Sequence, residues 1–139
     1  MKDLPQPVAE LVDVLAAMPG TVAVVLGGSR AVGSKETGSD WDLGVYYRGA
    51  IDLTALAARG VVHPPGSWGR VMNGGAWLRS GSEKVDVILR DLDVVEHWTR
   101  CAEKGEFEVH PNVSDSPRDC LCYSIVKAAS WQGGSRART

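Results

Sequence analysis

The chain is poor in aromatic side chains and in cysteine. Five Trp, three Tyr and one Phe make aromatics only 6% of the sequence. The skew towards Trp points to packing anchors and to nothing more specific. Three cysteines, Cys101, Cys120 and Cys122, are an odd number and lack the spacing of a disulfide framework. A disulfide-stapled secreted scaffold is therefore excluded, and reduced thiols in the cytoplasm are the expectation. Long apolar runs are missing too, and a bilayer-spanning helix needs about 20 such residues. The N-terminus, MKDLPQPVAEL, sets acids and prolines where a signal peptide needs an apolar core. Nor is there an excess of one charge. Fifteen basic residues against seventeen acidic ones leave a net charge of -2, without the footprint of a nucleic-acid or membrane surface.

What is present is ordinary for a globular domain. The 139 residues are 44% hydrophobic and 23% charged, enough to enclose one core. Pro7 to Met18 reads as a helix, with Val8, Leu11, Val12, Val14 and Leu15 at helical spacing and Pro7 in the first turn. Thr21 to Leu26 is a β-branched run without alternation, as expected of a strand buried on both faces. Gly27-Gly28 breaks it, and Ser29 can cap a short helix to about Glu36. Asp40 to Tyr47 reads as the second strand. Asp52 to Arg59 reads as a short helix capped by Asp52 and stopped by Gly60, and Val61 to Arg70, with Pro64-Pro65-Gly66, as a loop. A strand from Val71 continues past Gly74-Gly75 through Leu78, and Arg79 to Ser82 turns the chain. Glu83 to Leu89 alternates, with Val85, Val87 and Leu89 on one face and Lys84, Asp86 and Ile88 on the other. Asp91 caps a helix to about Lys104, whose inner face is Leu92, Val95, Trp98, Thr99 and Ala102. Beyond Gly105 the chain is polar until Ser116-Pro117. A helical stripe of Leu121, Cys122, Ile125, Val126 and Ala129 follows, then a frayed tail from Gln132.

The chemistry lies between Leu26 and Val45. A strand that ends in Gly-Gly-Ser and leads into a helix offers unpaired N–H groups to a phosphate. Gly28 removes the side chain that would block the approach, and Ser29 adds a hydroxyl donor. Asp40 and Asp42 then stand at i and i+2 of a strand, so their carboxylates project from one face while Trp41 turns into the core. Like charges this close call for a cation between them, and Mg2+ is the hard ion that takes carboxylate oxygens and substrate phosphates together. Asp86, in the middle of Val85-Asp86-Val87-Ile88, is a third acid where packing has no use for one.

Each feature has a plainer reading. Gly27-Gly28-Ser29 alone is a strand-to-helix turn, and Asp40 alone caps the turn after Ser39. Gly28 to Gly33 has the spacing of a Walker A loop, but Ser34-Lys35 follows where Gly-Lys-Ser/Thr is needed, which excludes a P-loop. His97 and Cys101 share a helix face without further ligands, a structural pair and not a zinc site. The Trp residues read as core. Trp68, in the Pro/Gly-rich loop, is the exception, with stacking on a base set against plain packing. It is the three acids together that favour metal binding.

An apolar residue, Gly28-Ser29, a spacer, and Asp40-Trp41-Asp42-Leu43, with Asp86 on a later strand, resemble the signature of the nucleotidyltransferase superfamily. This is the fold of the DNA polymerase beta catalytic core and of the aminoglycoside and lincosamide nucleotidyltransferases. The resemblance covers Val8 to Lys104. It implies an α/β (α+β) fold, a short mixed sheet flanked by helices, with a catalytic domain at 1–104 and a short C-terminal extension at 105–139. It also implies transfer of a nucleoside monophosphate, with AMP expected, from ATP or another NTP to a hydroxyl of a small molecule or protein, with Mg2+ and release of pyrophosphate. On that basis Asp40, Asp42 and Asp86 are the catalytic and metal-binding residues, Gly28 and Ser29 hold the triphosphate, and Arg30 and Lys84 are candidates to reach it. Larger relatives carry a helical domain after the core that helps form the acceptor pocket, and this chain ends soon after the core. The alternative follows compact one-domain members that act as antitoxins: a protein that binds, and can AMPylate, a helical toxin partner. A homodimer would also supply the second wall.

Overall fold

The computed structural model describes residues 4–28, 40–68 and 73–106, and the backbone of 136–137. Helix α1 (Gln6–Ala17) is followed by β1 (Thr21–Gly27), β2 (Trp41–Tyr47), β3 (Gly60–His63), β4 (Gly74–Ser80) and β5 (Glu83–Asp91). Helix α2 (Leu92–Glu103) and a two-residue strand, β6 (Arg136–Ala137), complete the described elements. The strands form one mixed sheet in the order β3-β4-β5-β2-β1-β6. Its central pair, β2 and β5, is parallel, and the other neighbours are antiparallel.

Alternation along the strands decides which face each helix covers. Val8, Leu11 and Leu15 of α1 are fully buried in one cluster with Leu43 and Val45 of β2 and Val85, Val87 and Leu89 of β5. Each such side chain contributes about 1.5–3 kcal/mol by leaving water. The intervening residues of the same strands face the other way. There α2 packs Val95 and Trp98 against Val25 of β1 and Tyr46 of β2. Asp91 caps α2 as expected, its side chain accepting from the Asp93 N–H. At the junction of β2 and α2 the Arg48 guanidinium bridges Asp93 and Glu96, which depresses the Glu96 carboxyl.

The mixed α/β class and most element positions agree with the sequence reading, and the differences are instructive. The segment Asp52–Arg59 is not a helix of several turns. Asp52 accepts from the Thr54 N–H and hydroxyl without being the cap, which is Leu53, and only a 3-10 turn at Thr54–Leu56 follows. Gly60 starts an edge strand where a loop was expected, and pairing of Gly60–His63 with β4 overrides local helix preference. Strand β1 is not enclosed on both faces throughout, since Val22 is exposed. On α2 the inner stripe runs Val95, Trp98, Cys101, and Ala102 is exposed. Within the expected frayed tail, Arg136–Ala137 pairs with Ala23 and Val24 of β1. The expected helices after Ser29 and after Pro117, and the start of the Val71 strand, lie outside the described residues.

Candidate functional site

Two strands that read separately as acid-bearing come together at the centre of the sheet. In the parallel pair, Asp42 of β2 stands directly beside Asp86 of β5. Residues in register on adjacent strands share a face, and the strands lie about 4.8 Å apart. Both side chains are half-buried and project from the α2 face, away from the α1 core. Trp41 turns into that core, as its alternation predicts, and donates its indole N–H to Glu83 at 3.0 Å.

On the other side of Asp42 the register continues to Gly27 at the end of β1. Gly28 follows with φ +68°, and a Cβ built on it would lie 2.0 Å from Asp42 Oδ2. The backbone of the Gly-Gly turn thus presses against the carboxylate, a contact open to glycine alone. Asp40, just before β2, is exposed, and close enough to act on Asp86 through its charge. Partial burial pushes the Asp86 carboxyl above the usual carboxylate range. The Asp40 charge adds to that shift, and Lys84, on the same strand face, opposes it.

The structure therefore brings Gly28, Asp42 and Asp86 together, with Asp40 and Lys84 at the margin. Ser29 and Arg30 lie outside the described residues. Among the described residues no group of three or more His, Cys, Asp or Glu side chains is gathered tightly enough to hold a metal unaided. His97 and Cys101 do touch along α2, with Nε2 and Sγ 3.6 Å apart.

Two residues of this face were missed in the sequence. Arg90 lies four positions beyond Asp86 on β5 and beside Tyr46 in register, and is only 1% exposed. Burial lowers its pKa and raises that of Tyr46, and each group opposes the shift of the other. Trp77, expected in the core with the other Trp residues, is instead 54% exposed and stands opposite Asp86 on β4. The signal was available. A two-residue turn at Gly81-Ser82 puts Ser80 opposite Glu83, and counting back along both strands puts Trp77 opposite Asp86. One row then crosses the sheet on a single face: Gly27, Asp42, Asp86, Trp77, Val61.

No helix among the described residues is long and apolar enough to cross a membrane. No family model matches the chain, and no curated protein or solved structure is significantly similar to it.

Proposed function

We propose that this chain is a Mg2+-dependent nucleotidyltransferase of the cytoplasm. It would transfer a nucleoside monophosphate, with AMP as the expected group, from a triphosphate to an acceptor hydroxyl. The observation that carries this reading is the in-register pair Asp42 and Asp86, with the Gly27-Gly28 turn pressed against Asp42. The order of elements supports the finer fold assignment: helix, strand, Gly-Gly turn, a strand with Asp40 just before it and Asp42 within it, then, after β3 and β4, a parallel strand bearing the third acid.

Asp42 and Asp86 would hold Mg2+, with Asp40 as the outer carboxylate. Two protein carboxylates suffice, because this ion keeps several waters and takes substrate phosphates as its remaining ligands. Bound there, it would offset phosphate charge and acidify the acceptor hydroxyl. The chain's own groups divide the remaining work. Backbone N–H groups at the Gly27-Gly28 turn would receive the triphosphate, and the bare Gly28 lets the Asp42 carboxylate seat directly against that turn. Asp86, on the side of the pair away from the glycine turn, is the carboxylate placed to take the acceptor's proton. The acceptor oxygen bonds to the α-phosphorus, the bond between α- and β-phosphates breaks, and pyrophosphate departs with the electron pair.

The test is Mg2+-dependent binding and turnover of ATP labelled in its α-phosphate. Asp42→Asn and Asp86→Asn should each abolish turnover, and Asp42→Asn should also abolish the Mg2+ dependence of binding. Unchanged values in both variants would sink the proposal.

A further inference from the structure

The row that carries the carboxylates continues past Asp86 onto apolar ground. Trp77 stands opposite Asp86, and Val61 stands opposite Trp77. Both point to the face that bears the acids, and both are more than half exposed. Helix α2 covers the other part of this face, around Val25 and Tyr46, and leaves the strip open.

Trp77 is not a stray surface residue. His63 meets it edge-on with ring centroids 4.6 Å apart, and Trp68 lies 5.0 Å from His63 and 6.2 Å from Trp77. The Trp68 ring rests on the sheet at Gly75, where a Cβ would come within 2.7 Å of Cζ3 and 2.8 Å of Cη2. The His63 Nε2 is buried in this cluster without a hydrogen-bond partner among the described residues, a cost that a purely apolar filling would avoid. The His63 and Trp68 rings hold the Trp77 indole in place on the strand that pairs with Asp86.

From this we infer that Trp77 is the stacking platform of the acceptor subsite, and that the acceptor is a small, hydroxyl-bearing ring compound, neutral or cationic. The inference rests on the nucleotidyltransferase reading and gives its acceptor a chemical class. In an in-line displacement the attacking and leaving oxygens lie on opposite sides of phosphorus. The glycine turn sits at one end of the carboxylate pair and Trp77 at the other. Pyrophosphate leaves on the glycine side, so the acceptor enters over Trp77. An indole face binds flat apolar surface, such as the C–H face of a sugar or an aromatic ring. Asp86 opposite it, with the Asp40 charge acting on the same carboxyl, disfavours an anionic acceptor.

Saturation-transfer NMR on the full chain tests this with two kinds of probe. The ring probes are phenyl β-D-glucopyranoside, methyl α-D-glucopyranoside and 4-hydroxybenzyl alcohol, and the nucleotide probe is α,β-methylene-ATP with Mg2+. Wild type should bind at least one ring probe. Trp77→Ala should weaken that binding about five- to tenfold, while Trp77→Phe retains it. Nucleotide binding should be unchanged in Trp77→Ala and lost in Asp42→Asn. Ring probes that bind Trp77→Ala as well as wild type, or that bind neither, would overturn the platform. So would a loss of adenine contacts in Trp77→Ala, which would place the base there. Wild type that fails to bind the nucleotide probe would overturn the nucleotidyltransferase reading, and the acceptor role with it. That result is distinct from failure of the ring probes alone.

Discussion

Replacing Gly28 by alanine separates the cost of a backbone conformation from the cost of a displaced carboxylate. Gly28 has φ +68°, where an L-residue is disfavoured by about 1–2 kcal/mol. Gly49 has φ +73°, and a Cβ there would meet nothing within 4 Å. The two substitutions therefore share the backbone term, which for a chain of this size lowers Tm by about 3–10 °C. They differ in what the new methyl group touches. At Gly28 it would lie 2.0 Å from Asp42 Oδ2 and 3.0 Å from its Cγ. Relief to an ordinary contact moves the carboxylate oxygen by more than about 1 Å. A displacement of that size at a reacting centre costs on the order of 100-fold in rate. Thermal unfolding by circular dichroism, paired with an AMP-transfer assay, should show similar Tm losses for Gly28→Ala and Gly49→Ala. Turnover should collapse only in Gly28→Ala. Equal activity in the two variants would refute the claim that this turn seats the Asp42 carboxylate.

Asp86→Asn should raise Tm at neutral pH in Mg2+-free buffer. The folded-state carboxyl is raised above its unfolded value, so ionisation costs the wild type stability as pH climbs from about 4 through the folded pKa. The gap between variant and wild type should vanish at more acidic pH, and a gap independent of pH would exclude this origin. Leu43→Ala, in a fully buried position, should lose about 2–5 kcal/mol in urea unfolding, and a loss within error of zero would misplace the core. Asp91→Ala removes the side-chain oxygen that accepts from the Asp93 N–H at 3.0 Å and should cost about 1 kcal/mol, read as faster amide exchange in the first turn of α2.

Legibility of the sequence followed the range of the interactions involved. Helices α1 and α2 and strands β2 and β5 carry their period within themselves, and their faces could be assigned from it, Ala102 at the end of α2 excepted. The Asp91 cap and the inward turn of Trp41 belong to the same class. Strand β3 did not, because only Val61-Val62 speaks for it while Pro64-Pro65-Gly66 dominates the window. Its pairing with β4 is a long-range interaction that local preference does not encode. Trp77 was misjudged for a related reason. Trp is usually buried, and the composition weighed more than the turn at Gly81-Ser82 that fixes its register.

The pairing of Asp42 with Asp86 belongs to an intermediate class, and this is why the site could be approached from sequence without being assembled from it. Alternation places each acid on a face, but only register places them side by side. The opposite face supplies that register. Leu43 and Val45 must meet Val87 and Leu89 over α1, and a slip of one residue would turn the slipped strand's pair away from α1 towards the α2 face. The hydrophobic effect thus sets the two acid-bearing positions side by side. Asp86 itself carries a carboxyl pushed up by burial and by the Asp40 charge. A carboxyl whose pKa is raised in the fold costs stability once it ionises, so Asp86 does not serve to stabilise the sheet. The arrangement is intelligible if a cation and a phosphate complete it.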